Sequence, residues 1–247
     1  MTQLFGSLRT TVRERYALLT PDSFVPSALP GWSGAVCVVQ ISGAMGARFC
    51  QTLVTLASGG AGRGRTAEME IVACVLEGRC AFASGTTQGS LATGGFVYVP
   101  PQHDFEFTGA AAGARLLLFE KPYVALEGTA PPPLLLGEVG AVAGQPFLGD
   151  PDARLQVLLP DQPAFDLAVN IFTYQPGAML PFVESHVMEH GLVMLEGQGI
   201  YQLDGDWHPV QAGDVIWMAS YCPQWFVALG KTPARYLYYK DVNRAAQ

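Results

Sequence analysis

Two parts of the chain repeat one pattern, and this internal repeat constrains the fold more than any other feature. The segment EIVACVLEGRCAF, which begins at Glu70, aligns with EHGLVMLEGQGIY, which begins at Glu189, 119 positions later. The alignment continues at the same offset, and its matched pairs include Gly78 with Gly197, Gly94 with Gly213, and Tyr98 with Trp217. A repeat of this kind predicts one structural unit that occurs twice.

Each copy is predicted to be a small β-barrel. Short segments rich in Val, Ile, Leu, Phe and Tyr alternate with chain breakers, since the 247 residues include 28 Gly and 18 Pro. Many short apolar segments without a sustained 3.6-residue period are typical of all-β proteins. We therefore expect an all-β fold with an N-terminal barrel over 1–130, a Pro- and Gly-rich connector over 131–149, and a C-terminal barrel over 150–247.

Charge and hydropathy exclude several classes of partner. The 14 Lys and Arg are outnumbered by 21 Asp and Glu and form no run, so neither nucleic acid nor an anionic membrane surface is an expected partner. The longest uncharged stretch, 23–47, is broken by Pro and Gly and predicts no membrane-spanning helix. The first residues carry charges where a secretory signal has its apolar region, so no signal peptide is expected. A small-molecule substrate is the expected partner.

The cysteines indicate the cellular compartment. They are odd in number, show no CxxC spacing and lie mostly in apolar segments: Cys37, Cys50, Cys74, Cys80 and Cys222. Such cysteines are typical of reduced thiols in the core of a cytoplasmic protein, rather than of disulfides or metal ligands.

A candidate metal site lies in the second copy, in the segment EXHVMEH with Ser185 at the position written X. Glu184, His186 and His190 share parity, so on an extended strand their side chains project from one face, which inside a barrel is the lumen. The repeat suggests Gln224 as a fourth ligand, because two extra residues in the second copy set it opposite the lone His103 of the first. This set of two nitrogen and two oxygen donors suits Mn(II) or Fe(II) at least as well as Zn(II).

Two other interpretations of the histidine segment stay open. The string His186-Val-Met-Glu-His190 also fits the H-x-x-E-H pattern of a zinc protease, which requires a helix that the surrounding Pro and Gly residues disfavour. Alternatively, both histidines are structural residues in a barrel core, at the cost of burying much polar surface.

The first copy lacks the candidate ligands. At the offset of 119, Arg65, Ala67 and Ile71 stand at the positions of the three predicted ligands. We therefore expect one metal ion, bound by the second barrel, with His103 a structural residue and His208 a surface residue.

Further polar side chains are predicted to lie near this site. Tyr201, Tyr236 and Lys240 are on predicted strands, and positions 236 and 240 share parity, so both side chains can face the metal. A lysine near a chain end is commonly a solvated surface charge. Beside a metal it would instead bind an anionic group such as a carboxylate.

These motifs resemble a known family. The duplicated barrel with its Gly-Asp turn and metal-ligating segment resembles a bicupin, a protein of two tandem double-stranded β-helix (jelly-roll) barrels. Within this class, the segments HVMEHGLVMLEGQGIYQLDGDWHPVQAGDVIWM and LGKTPARYLYYKDVNR are similar to the (S)-ureidoglycine aminohydrolases of allantoin and purine breakdown. Upstream, LLTPDSFVPSALPGW and SGAMGARFCQTLVTL also resemble that family.

The resemblance implies a hydrolase that releases ammonia from (S)-2-ureidoglycine and leaves (S)-ureidoglycolate, with bound Mn(II). The family's metal ligands carry over onto Glu184, His186, His190 and Gln224. Its substrate-contacting groups carry over onto Tyr201, Tyr236 and Lys240, and Glu184 is the candidate for proton transfer.

Two functions of other classes stay open from the sequence. Two histidines, a carboxylate and an open metal position also suit a metal-dependent dioxygenase or decarboxylase. A cupin can also be a non-catalytic module that binds a small molecule, because fold does not determine function. Whichever of these functions the protein has, we expect a homo-oligomer, since barrels of this kind commonly associate through sheet edges.

Overall fold

A computed structural model of the protein describes residues 8–244. Within this range the regular secondary structure consists of β-strands and three short 3-10 helices, as expected for the predicted all-β fold. Three short 3-10 helices lie at Pro21–Ser23, Gly43–Met45 and Val139–Ala141. The strands are β1 (Thr11–Val12), β2 (Tyr16–Leu19), β3 (Trp32–Ile41), β4 (Cys50–Arg65), β5 (Met69–Ser84), β6 (Thr87–Ala92), β7 (Gly95–Val99), β8 (Asp104–Pro122), β9 (Leu135–Glu138), β10 (Gln145–Phe147), β11 (Asp150–Val157), β12 (Leu167–Tyr174), β13 (His190–Glu196), β14 (Gln198–Leu203), β15 (Asp206–Gln211), β16 (Val215–Met218), β17 (Gln224–Leu229) and β18 (Ala234–Asp241).

The strands form two compact units. The first unit comprises 25–143, 156–169 and 241–244. Its antiparallel sheet has the strand order β3-β4-β8-β5-β7-β9, with β6 paired to β5. Inward-facing side chains fill its core with apolar groups that include Ile71, Phe82 and Phe107.

The second unit comprises 8–24, 144–155 and 170–240. It combines an eight-stranded sheet, in the order β1-β2-β16-β13-β18-β12-β11-β10, with a three-stranded sheet in the order β15-β14-β17. Its core differs from that of the first unit because it contains four tyrosines from strands β12, β14 and β18. The candidate site is in this unit.

The compact units differ from the segments that the sequence predicted. Strand β2 lies in the predicted N-terminal barrel, yet it pairs with β16 and so extends the sheet of the second unit. Residues 156–169 lie in the predicted C-terminal barrel but cluster with the first unit. The predicted connector contains strand β9, which pairs with β7, and strand β10, which pairs with β11. Strand exchange of this kind leaves no trace in the repeat, because the exchanged segments lie outside it.

Strand register confirms the repeat. Ile71 pairs with Val99 as His190 pairs with Met218, and the glycines that follow are also equivalent. Gly78 and Gly197 have φ of 76° and 73°, and an added Cβ would lie 2.4 Å from a backbone carbonyl oxygen in both cases. Only glycine avoids this clash at a bulge where two strands approach closely.

The predicted equivalence of His103 and Gln224 is wrong. Phe82 pairs with Phe107 as Tyr201 pairs with Phe226, so the offset of 119 continues without an insertion and sets Phe105 at the position of Gln224. His103 is exposed, and its Nδ1 lies 2.9 Å from the Pro101 carbonyl oxygen.

The cysteines lie mostly in the interior, as their apolar segments predicted. All five lie within the described range and none forms a disulfide; four are buried and Cys50 is partly buried. Within residues 8–244, no helix is long and apolar enough to cross a membrane.

Candidate metal and substrate site

The segment that carries the candidate ligands is a loop that leads into a strand. Glu184 forms an isolated antiparallel bridge with Gln224, His186 lies in the following loop, and His190 is the first residue of β13. The prediction of one continuous strand was therefore wrong. The structure also excludes the zinc-protease interpretation, because no helix is present between Glu184 and His190.

The loop matters because a straight strand could not bring both histidines to one metal ion. In an extended strand, Cα atoms four residues apart are separated by about 13 Å. Here the chain bends between the two residues, and the Nε2 atoms of His186 and His190 lie 3.3 Å apart. Parity selected these two residues, and the bend in the chain brings their side chains together.

Strand pairing fixes the other two candidate ligands. The backbone N–H of Glu184 donates to the Gln224 carbonyl at 2.8 Å, and the reverse bond measures 2.9 Å. Gln224 is 3% exposed, and its amide Nε2 lies 3.1 Å from Nε2 of His186. The nearer carboxylate oxygen of Glu184 lies 4.0 Å from the same imidazole nitrogen. The other three predicted ligands therefore each have a side-chain atom within 4.0 Å of Nε2 of His186.

The donors converge without forming a closed ligand shell. Within residues 8–244, no three His, Cys, Asp or Glu side chains are close enough to enclose a metal ion by themselves. The Gln224 amide would complete the set after a 180° rotation, which turns its oxygen toward His186 and its nitrogen toward the Tyr201 hydroxyl. That hydroxyl now donates to the Gln224 oxygen at 3.4 Å and would accept from the nitrogen after the rotation.

A small cavity adjoins these donors inside the barrel. Its volume is about 20 Å³, enough for one water molecule or one metal ion. The predicted residues Glu184, His190, Tyr201, Gln224 and Tyr236 all contribute to its wall, which is completed by Phe172, Leu180, Leu192, Met218 and Tyr238. Three tyrosines and three of the four candidate ligands therefore line one small cavity, whereas His186 is not part of its wall.

Lys240 lies close to the site but not in the cavity wall. It is half-buried on β18, directly opposite His190 in the strand pair. Its positive charge partly opposes the rise that burial causes in the pKa of Glu184. The same charge adds to the fall that burial and His186 cause in the pKa of His190, so Lys240 is electrostatically connected to both candidate ligands. A cation at this position is suited to an anionic substrate group beside the metal.

Three polar residues of the site were missed by sequence reasoning. Tyr238 stands between Tyr236 and Lys240 on the same face of β18, and its parity could have revealed it. Tyr174 and Asn170 are on β12, outside the repeat alignment. The Tyr174 and Tyr236 hydroxyls lie 3.2 Å apart, and Asn170 donates to the Tyr238 hydroxyl at 3.1 Å.

Burial controls the protonation of these groups. Burial, together with the nearby His186 and Lys240, lowers the pKa of His190 well below its usual value, so its imidazole is neutral and can serve as a metal ligand. Burial raises the pKa of Glu184, and the charge of Lys240 partly opposes this. Burial also raises the pKa of Tyr201, Tyr236 and Tyr238, so the phenols keep their protons at neutral pH.

The remaining histidine outside the site is not a free surface residue. His208 is only partly exposed, and its Nε2 lies 3.1 Å from the hydroxyl of Tyr16 on β2. Its predicted surface position is therefore only partly correct, because the exchanged strand β2 covers it.

Comparisons with known proteins agree with this architecture. The model of the cupin domain family matches residues 170–239, which span β12 to β18. The crystal structure of protein Ylba from E. coli superposes with a TM-score of 0.87 at 32% identity and covers 96% of each chain. An oxalate decarboxylase from Bacillus subtilis superposes with a TM-score of 0.73 at 11% identity, over 95% of this chain and 78% of that one. The predicted bicupin fold is therefore confirmed.

Relatives of known activity extend over nearly the whole chain. The (S)-ureidoglycine aminohydrolase of Arabidopsis thaliana is 37% identical over 99% of this chain and 81% of its own length. The (S)-ureidoglycine aminohydrolase of Escherichia coli is 35% identical over 93% of this chain and 89% of its own length. Similarity at this level, over both barrels, leads to one conclusion: the chain is an enzyme that belongs to the (S)-ureidoglycine aminohydrolase family.

Proposed function

We propose that this enzyme hydrolyses (S)-2-ureidoglycine to (S)-ureidoglycolate and ammonia, with Mn(II) bound by Glu184, His186, His190 and Gln224. One observation carries the proposal: the other three candidate ligands all lie within 4.0 Å of Nε2 of His186, and three of the four ligands line a small cavity together with buried tyrosines. The full-length relatives named for this activity support the choice of substrate.

The donor set fits a divalent first-row metal ion. Adjacent nitrogen ligands lie roughly 3.0 to 3.4 Å apart when each metal–nitrogen bond is about 2.1 Å. The separation of 3.3 Å between the Nε2 atoms of His186 and His190 falls within this range. A neutral His190 can bind a metal ion, and the mixture of nitrogen and oxygen donors suits Mn(II) or Fe(II) at least as well as Zn(II). When bound, the metal would supply Lewis acidity and a fixed anchor for substrate oxygen or nitrogen atoms.

The surrounding residues would bind and orient the substrate. Ureidoglycine carries a carboxylate, an amine and a ureido group on one carbon atom. Lys240 provides the positive charge for the carboxylate, while the hydroxyls of Tyr201 and Tyr236 provide neutral donors deeper in the barrel. Fixed orientation of this kind can supply a large part of the rate enhancement.

Glu184 is the group placed to move the proton. In the reaction, a bond forms between the water oxygen and the substituted carbon, and the bond from that carbon to the amine nitrogen breaks. Glu184 accepts the proton of the attacking water and transfers it to the departing amine, which leaves as ammonia. Burial raises its pKa above the ordinary carboxyl value, which favours the protonated form that gives the proton to the amine.

Removal and restoration of the metal test the proposal directly. Ammonia release from ureidoglycine should fall to background after chelation and return when Mn(II) is added, because the substrate loses and regains its anchor. Oxygen consumption measured in the same samples should stay at zero, since the hydrolysis needs no oxidant. Activity that is indifferent to both chelation and Mn(II) would refute the proposed requirement for a metal ion. Uptake of oxygen would favour dioxygenase chemistry.

Replacement of Lys240 by methionine tests its proposed contact with the carboxylate. Methionine keeps most of the side-chain volume and removes the charge, so we expect KM for ureidoglycine to rise about tenfold or more, with a smaller change in kcat. Lys231 is exposed, and its replacement by methionine is the matched control. An unchanged KM in the Lys240 variant would show that its charge does not bind substrate.

A further inference from the structure

One buried hydrogen bond in the site is not used by the proposed chemistry. Asn170 on β12 is 2% exposed, and its Nδ2 donates to the hydroxyl oxygen of Tyr238 on the neighbouring strand β18 at 3.1 Å. Tyr238 is 6% exposed and contributes to the cavity wall. The bond pairs the phenol oxygen with an amide hydrogen inside the barrel, where either group would be costly to leave unpaired.

The direction of this bond determines what the phenol can do. An amide nitrogen only donates, so the Tyr238 oxygen is the acceptor and its own hydrogen is directed elsewhere. Among the hydrogen bonds of residues 8–244, none takes that hydrogen. Because burial and the charge of Glu184 raise the pKa of Tyr238, the phenol keeps this proton. Tyr238 therefore has a spare donor beside the cavity.

The phenol ring is held rigidly. It stacks on Phe172 with a centroid distance of 5.7 Å and an interplanar angle of 11°, and it lies 5.7 Å from the ring of His190. A hydroxyl on a ring fixed in this way can discriminate between ligands, since little conformational entropy is lost when it binds.

Position along β18 indicates which substrate group this donor meets. Lys240, Tyr238 and Tyr236 alternate along the strand and face the same side, opposite His190, Leu192 and Met194 respectively. Tyr238 is one strand period, about 7 Å, further into the barrel than Lys240. If Lys240 binds the carboxylate, the next group inward is the neutral ureido carbonyl.

We propose that Tyr238 is a specificity-determining residue whose hydroxyl donates a hydrogen bond to the ureido carbonyl oxygen. Asn170 is the positioning residue that fixes the direction of this hydroxyl. The proposal rests on the proposed function, because it takes the ureido substrate from there. It adds a contact that distinguishes a ureido compound from a simple 2-hydroxy acid.

The test compares two ligands that differ in the ureido group. Dissociation constants of ureidoglycolate and of glycolate are measured by calorimetry on Mn(II)-loaded protein, so the readout does not depend on turnover. Tyr238→Phe keeps the ring packing and should weaken ureidoglycolate about tenfold while leaving glycolate unchanged. Asn170→Asp should do the same, because a carboxylate accepts the phenol proton and reverses the bond.

The controls separate a specific contact from a general disturbance. Tyr239→Phe removes the neighbouring hydroxyl on the opposite face of β18 and should leave both dissociation constants unchanged. Thermal unfolding and Mn(II) content verify that each variant is folded and loaded. Equal weakening of both ligands, or normal ureidoglycolate binding by Tyr238→Phe, would overturn the inference. Normal binding by a folded Asn170→Asp variant would show that Asn170 does not set the direction of the donor.

The outcome for the unmodified enzyme separates this inference from the proposed function. An enzyme that releases ammonia from ureidoglycine, with a Tyr238→Phe variant that binds ureidoglycolate normally, refutes the inference alone. An enzyme that neither releases ammonia nor binds ureidoglycolate refutes the proposed function and the inference with it.

Discussion

His190→Ala is expected to abolish retention of Mn(II) and to lower ammonia release at least a hundredfold. His190 lies at the start of β13 between β16 and β18, so its imidazole is held by strands on both sides. The neighbouring imidazole of His186 is 3.3 Å away, and the variant would leave it as the only nitrogen ligand. Since changes to groups that merely orient a ligand cost about 10- to 100-fold in metal affinity, loss of a ligand should cost more.

His103→Ala is the matched control for this experiment. His103 is exposed in the first unit and stands at none of the four metal-ligand positions of the repeat, so both Mn(II) content and activity should be unchanged. Metal content is measured by elemental analysis after gel filtration, and thermal unfolding shows whether each variant is folded. A folded His190→Ala variant that keeps a full equivalent of Mn(II) would contradict the proposed ligand set.

Much of the fold could be predicted from the sequence because the repeat records it. Glycines such as Gly78 and Gly197 recur where two strands approach too closely for a side chain, so the same backbone requirement is visible twice. The pairing of β2 with β16 could not be predicted in this way. This pairing depends on which sheet has an edge strand that β2 can join. Because the β2 segment lies outside the repeat, the chain contains no second copy with which it could be compared.

The sequence selects candidate site residues, but it does not describe how they are arranged. His186 and His190 stand out because histidines are rare in this chain, with four in total. Their convergence depends on a bend between them that a parity rule does not describe. Gln224 was selected by an alignment with His103 that the register does not support, and it joins the site through its bridge with Glu184 instead.

The buried network behind the site left the weakest trace in the sequence. Asn170 and Tyr174 acquire their roles only when β12 lies beside β18, which places them next to Tyr238 and Tyr236. Contacts between strands that are distant in the chain follow from sheet order, and neither spacing nor composition of the sequence encodes that order.

Glu184→Gln should lower ammonia release by a hundredfold or more while the protein stays folded. Glutamine is nearly isosteric and retains an oxygen that can bind the metal, but it cannot accept a proton from water or deliver one to the departing amine. General acid–base groups contribute about 10²- to 10⁴-fold, so loss of this step should appear in kcat.

The measurement must separate proton transfer from metal binding, because Glu184 is proposed to serve in both. Rates are therefore determined at saturating Mn(II) and divided by the bound metal per chain. Glu196→Gln is the matched control, since this carboxylate is exposed on the same strand as His190 and pairs with Arg235 at 2.6 Å. Near-normal turnover per bound metal in Glu184→Gln would exclude Glu184 as the proton carrier. A loss confined to kcat, with the metal retained, would establish that the carboxylate acts on the reacting atoms beyond holding the ion.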